Sequence, residues 1–121
     1  MREQIKNYGK YYLVSDDSEI VASFIERFLK VSDLLLELGS GNGIMAKYFD
    51  ERTYFSLDPI IPDNNIFNYI QGVAQSMPLK ANSFDITLCK DSLSYYRNLL
   101  TVLDEASRVV KKMVISLFQS L

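Results

Sequence analysis

The 121-residue chain is 48% hydrophobic and 23% charged, with a formal net charge of −2. A chain of this length builds one core with little left for a second lobe, and it lacks the basic excess of a dedicated nucleic-acid binder. No apolar run reaches bilayer length, the opening MREQIKNYGK has no apolar secretion-signal core, Cys89 stands alone and histidine is absent.

Those features predict a single domain over residues 1–121 in a reducing cytoplasm, with no membrane partner. Without histidine, the commonest general base and the commonest zinc ligand are both missing, and no metal site is expected.

Along the chain, residues 15–30 (SDDSEIVASFIERFLK) predict a helix. Asp16 or a neighbour can cap it, with Glu19 as the capping-box partner. Ile20, Val21, Phe24, Ile25, Phe28 and Leu29 form its apolar stripe. Leu34 to Leu38 is a short apolar run ending in glycines, the pattern of a strand buried on both faces. Gly43 to Phe49 reads as helical and Thr53 to Leu57 as a second strand. Pro59 and Pro62 then discourage a long crossover helix. Further strands are expected near Asn68–Gln71 and over Asp85–Cys89. A helix follows from about Leu99 to Val110, and a fifth strand over Met113–Phe118. This alternation predicts an α/β fold with a doubly wound, mostly parallel five-stranded sheet, whose ligand sits beyond the carboxyl ends of the strands.

The stretch LLLELGSGNG, Leu34 to Gly43, carries the most information. Gly39, Gly41 and Gly43 admit backbone angles closed to other residues and let a ligand approach the main chain. The N-terminus of the following helix favours an anion. A dinucleotide site wants G-x-G-x-x-G/A, and Ile44 occupies the last of those positions. The spacing found is G-x-G-x-G, which resembles the first motif of class I S-adenosylmethionine-dependent methyltransferases, with Glu37 as the acidic residue two positions before the glycines. Asp58, in FSLDP, stands where that family binds both ribose hydroxyls. GVAQSMPLKANSFDITLCKDSLSYY, Gly72 to Tyr96, is similar without a gap to the family stretch usually written GDAENLPFPDNSFDVVVSSFVLHHI. EASRVVKKMVISLF resembles the family's next helix and strand, without the usual Pro-Gly-Gly loop. The resemblance runs from about Leu34 to Phe118 and is closest to the small-molecule methyltransferases called type 11.

The resemblance implies strand order 3-2-1-4-5 and S-adenosylmethionine as cofactor. It assigns cofactor contacts to Glu37, Gly39, Ser40, Gly41, Gly43, Asp58 and Pro59, with Ala74 and Gln75 beside the adenine. Cys89 and Lys90 would lie beside the methionine portion. Asp91, Tyr95 and Tyr96 are the candidate bases, the alternative being that no base is used. Asp85 reads as structural, and Tyr8, Lys10, Tyr11 and Tyr12 form either a lid over the cofactor or an aromatic cover on the sheet.

Two departures stand out. Val73 replaces an aspartate that the family uses on the adenine amino group, a loss of about 1 kcal/mol. The sequence also stops after the fifth strand, where the family adds a hairpin of two more. That leaves an open edge on the fifth strand, with three explanations open: a natural minimal form, a truncated product of a longer gene, or a homodimer or other partner that covers the edge. The expected activity is methyl transfer to a small-molecule acceptor; the alternative is a non-catalytic module that binds S-adenosylmethionine or S-adenosylhomocysteine, or an accessory subunit of another methyltransferase.

Overall fold

The computed structural model describes residues 5–7, 11–13, 18–39, 45–60, 68–90 and 98–117. Among these, seven strands make one sheet. They are β1 (Ile5–Asn7), β2 (Tyr11–Leu13), β3 (Leu35–Leu38), β4 (Tyr54–Asp58), β5 (Asn68–Gln71), β6 (Phe84–Lys90) and β7 (Val110–Leu117). Helix α1 (Ser18–Glu26) precedes β3, a 3₁₀ turn (Ala46–Tyr48) precedes β4, and helix α2 (Leu99–Arg108) lies between β6 and β7.

The sheet order is β1-β2-β7-β6-β3-β4-β5. Its last five members are all parallel and, counted from β3, give the expected order 3-2-1-4-5. Residues on alternate sides of each strand feed two separate cores. Val21, Ala22, Phe24 and Ile25 of α1 pack with Leu35, Tyr54, Ile86, Leu88 and Ile115 on one face. Val102 and Ala106 of α2 pack with Leu36, Leu38, Leu57, Cys89 and Val114 on the other. All four residues of β3, Glu37 among them, are buried, and the strand is paired on both sides by β4 and β6.

Several boundaries differ from the sequence reading. Helix α1 ends at Glu26, four residues before Lys30, and Arg27 and Phe28 continue it only as a tightened turn. The expected helix over Gly43–Phe49 is a single 3₁₀ turn in its described part. Helix α2 ends at Arg108, and β7 begins at Val110, three residues before the expected Met113. Val109 alone joins them. Its N–H caps the helix at Glu105 O while Val110 pairs with Phe84, so no loop is needed.

The edge expected to be open is covered in part. The outer edge of β7 is occupied by β2, which runs parallel to it with Tyr11 opposite Ile115, Tyr12 opposite Ser116 and Leu13 opposite Leu117. β1 then pairs antiparallel with β2. β2 thus supplies edge partners to Ile115–Leu117 of β7, and over those three residues the edge expected to be open is covered by the chain itself. Tyr11 and Tyr12 are therefore strand residues; Tyr8 and Lys10 lie outside the described residues. Among the described residues no helix is long and apolar enough to cross a membrane.

Candidate ligand-binding site

Three parallel strands deliver the candidate residues to one end of the sheet. At the end of β3, Gly39 has φ of 65°, a conformation that glycine adopts at little cost. Its N–H donates to Leu57 O at 2.9 Å, which ties the start of the glycine turn to the end of β4. Ser40, Gly41, Asn42, Gly43 and Ile44 lie outside the described residues.

Two positions before Gly39, the carboxylate of Glu37 is buried and accepts a short hydrogen bond from the Tyr54 hydroxyl. The Tyr54 ring is itself buried and stacks on Phe49 at 5.8 Å. Burial, and then the neighbouring Glu37 charge, push the Tyr54 phenol well above its ordinary value. The sequence reading did not single out Tyr54. Its signal was register: Glu37 lies opposite Ser56 on the neighbouring parallel strand, which puts Tyr54 on the same face of the sheet.

At the end of β4, Asp58 is half-buried and its Oδ1 accepts from the Ile60 N–H at 3.1 Å. Its Oδ2 has no hydrogen-bond partner among the described residues. Asp58 lies opposite Gln71 of β5, whose side-chain amide donates to Pro59 O at 3.1 Å. The Gly72 N–H donates to the main-chain Asp58 O at 3.1 Å, so the chain leaving β5 is tied to the backbone at the end of β4. It then turns over residues 73–76, closed by Ser76 N–H to Val73 O at 3.3 Å. Ala74 is buried against the α2-face core. Gln75 is half-buried, and its amide has no partner among the described residues. Val73 is about half exposed.

The fourth strand end contributes differently. Cys89 is fully buried in the α2-face core, hydrogen-bonded to Ser116, and burial pushes its thiol up to about 12. Only its main chain is positioned to border a ligand. Lys90 closes β6, and Asp91, Tyr95 and Tyr96 fall outside the described residues. Asp85 is structural in its observed contacts: its Oδ2 accepts from the Leu34 N–H at 2.8 Å, at the opposite end of the sheet. Among the described residues no three His, Cys, Asp or Glu side chains gather as a metal site.

The described part of the site thus combines Gly39 in a left-handed conformation, a strand-end carboxylate with one oxygen to spare and a neighbouring turn carrying an uncommitted amide. A carboxylate of this kind suits vicinal hydroxyls, and an amide that both donates and accepts suits a heterocycle edge.

The family model for the methyltransferase domain matches residues 36–118. Among curated proteins no match is found. Solved structures do match. A protein described as a methyltransferase of an antibiotic biosynthesis pathway in Anabaena variabilis superimposes with a TM-score of 0.70 at 14% identity, covering 83% of this chain and 45% of that one. An S-adenosylmethionine-dependent methyltransferase from Aquifex aeolicus gives 0.61 at 21% identity, covering 78% and 58%. A structure of a Haloferax volcanii methyltransferase activator in complex with a methyltransferase gives 0.59 at 17% identity, covering 81% and 57%. The chain spans about half the length of the solved structures it matches.

Proposed function

The chain belongs to the methyltransferase-domain family, and from that premise we propose that it binds S-adenosylmethionine and transfers its methyl group to a small-molecule acceptor. The observation that carries this reading is the convergence of Glu37, Gly39, Asp58 and the 73–76 turn at the carboxyl ends of β3, β4 and β5. These residues fit the cofactor. Asp58 Oδ2 is available to a ribose, the backbone at Gly39 opens as a close approach requires, and the Gln75 amide is free to meet the adenine where Val73 cannot.

Bound there, the sulfonium would make its methyl group electrophilic. The protein's own contribution is mostly positional. Asp58 and Pro59 would hold the ribose side, Ala74 and Gln75 would frame the adenine, and Glu37, Gly39, Ser40, Gly41 and Gly43, with Cys89 and Lys90, would serve the amino-acid portion. An acceptor of high pKa also needs a base, for which Asp91, Tyr95 and Tyr96 are the candidates.

Calorimetric titration with S-adenosylmethionine and S-adenosylhomocysteine tests the reading. Saturation at about 100 times Kd stabilises the fold by about 2.7 kcal/mol, which a thermal scan also detects. Binding of both ligands supports the proposal, and a folded protein that binds neither overturns it. Binding without transfer to any of a panel of small-molecule acceptors moves the assignment to a cofactor-binding module.

A further inference from the structure

The 72–83 segment, which carries the adenine-side turn, contains little regular structure, so its backbone groups need partners from elsewhere. One pair of side chains on α2 supplies them. Glu105 Oε1 accepts from the Met77 N–H at 2.8 Å, and Arg108 donates to Leu79 O at 2.8 Å and to Met77 O at 3.3 Å. The two side chains also grip each other: Arg108 Nε donates to Glu105 Oε2 at 2.5 Å and Nη2 to Oε1 at 3.0 Å. Both polar backbone groups of Met77 are thereby held from one helix.

A three-residue spacing on a helix ordinarily gives a solvated ion pair that contributes a few tenths of a kcal/mol. Here the arginine fork and the carboxylate direct their remaining capacity to main chain 28 to 31 positions away. The other end of the turn is pinned independently. Gly72 is bonded to Asp58 O, and Pro78 packs so closely on it that a Cβ at Gly72 would lie 2.8 Å from the proline Cδ. Between these anchors sits Gln75, with its amide unpaired among the described residues.

We infer that Glu105 and Arg108 are positioning residues for the cofactor: a clasp on α2 that holds the 73–76 turn in the shape that receives the adenine. The inference rests on the proposed reading of the site as an S-adenosylmethionine site. Neither residue touches the ligand; they act through Met77 and Leu79.

The test uses Glu105→Ala, which removes the acceptor for Met77 and the partner of Arg108. Its companion Glu105→Gln keeps an acceptor of the same shape. Both are titrated with S-adenosylhomocysteine at a temperature where circular dichroism shows them fully folded. Glu105→Ala is expected to bind about tenfold more weakly, the factor equivalent to about 1.4 kcal/mol, and Glu105→Gln to recover most of that loss. A role confined to stability would lower the melting temperature and leave the affinity of the folded protein unchanged, which overturns the clasp. If Glu105→Ala does not fold, amide exchange in the unaltered protein decides. S-adenosylhomocysteine should slow the Met77 amide at least about tenfold beyond the α1 amides, the same 1.4 kcal/mol scale, and equal slowing overturns the inference. Failure of the unaltered chain to bind overturns the proposed function itself, and the clasp with it.

Discussion

Tyr54 and Glu37, on adjacent parallel strands, form a phenol–carboxylate hydrogen bond inside the α1-face core, two residues before the glycine turn begins. A buried carboxylate is costly unless donors surround it, so this hydroxyl helps to keep an acidic group at the root of the site.

Tyr54→Phe keeps the ring and its stack on Phe49 while removing that donor. It should lower stability by about 1–3 kcal/mol, read from chemical denaturation at pH 7. The pH dependence has a definite sign. The phenol is raised in the folded state, so its contribution is complete below the ordinary value near 10 and is lost as pH rises through the raised value. Above pH 10 the parent protein should lose stability more steeply than Tyr54→Phe. Parallel curves would show that the hydroxyl does not titrate with folding.

Asp58→Ala tests the ribose end of the site. The carboxylate serves the fold through one hydrogen bond to the Ile60 N–H on an exposed turn, so the variant should fold normally. Its affinity for S-adenosylmethionine should fall at least about tenfold, since one charge-assisted hydrogen bond contributes about 1.5 kcal/mol or more. A folded variant with unaltered affinity would remove Asp58 from the site.

Gly72→Ala places a methyl group 2.8 Å from Pro78 Cδ and 3.1 Å from Leu57 Cδ1. The proline ring is stiff and cannot swing aside as a long side chain would. A loss of about 1–3 kcal/mol is expected, and adding Pro78→Ala should recover part of it through direct coupling between the two positions. Additive effects in the double variant would show that the crowding lies elsewhere.

Cys89 should not react with a thiol reagent at pH 8 in the folded protein and should react fully once denatured. Burial, opposed by the Ser116 hydrogen bond, pushes the thiol up to about 12. Being raised, it stabilises the fold fully below its ordinary value near 9, and that contribution is lost between about pH 9 and 12. Rapid labelling of the native protein would contradict the packing described at the end of β6.

What could be read from the sequence depended on how local each signal was. The β3 run, the Gly39 turn and the Asp58 strand end each lie within a few residues, and the five parallel strands were found in their expected order. β5 was legible to the residue, because Asn68–Gln71 stands isolated after the proline-broken stretch. β1 and β2 were missed: three residues are too few for an alternating pattern to show. The early start of β7 was hidden by Lys111 and Lys112, both exposed, beside the helical spacing of Val109 and Val110. Tyr54 and the Glu105–Arg108 pair were illegible for another reason. Each acts on a group 17 or more positions away, and nothing in its immediate neighbourhood distinguishes it from an ordinary core aromatic or surface ion pair.

The pairing of β2 with β7 has a consequence for handling the protein. Ile5 is opposite Leu13, and Leu13 is opposite Leu117, so Ile5 and Leu117 sit in one row two strand spacings apart, about 10 Å. That row lies at the carboxyl end of the parallel strands. A pair of fluorophores attached at positions 5 and 117 would therefore report directly on whether β1 and β2 stay docked on β7.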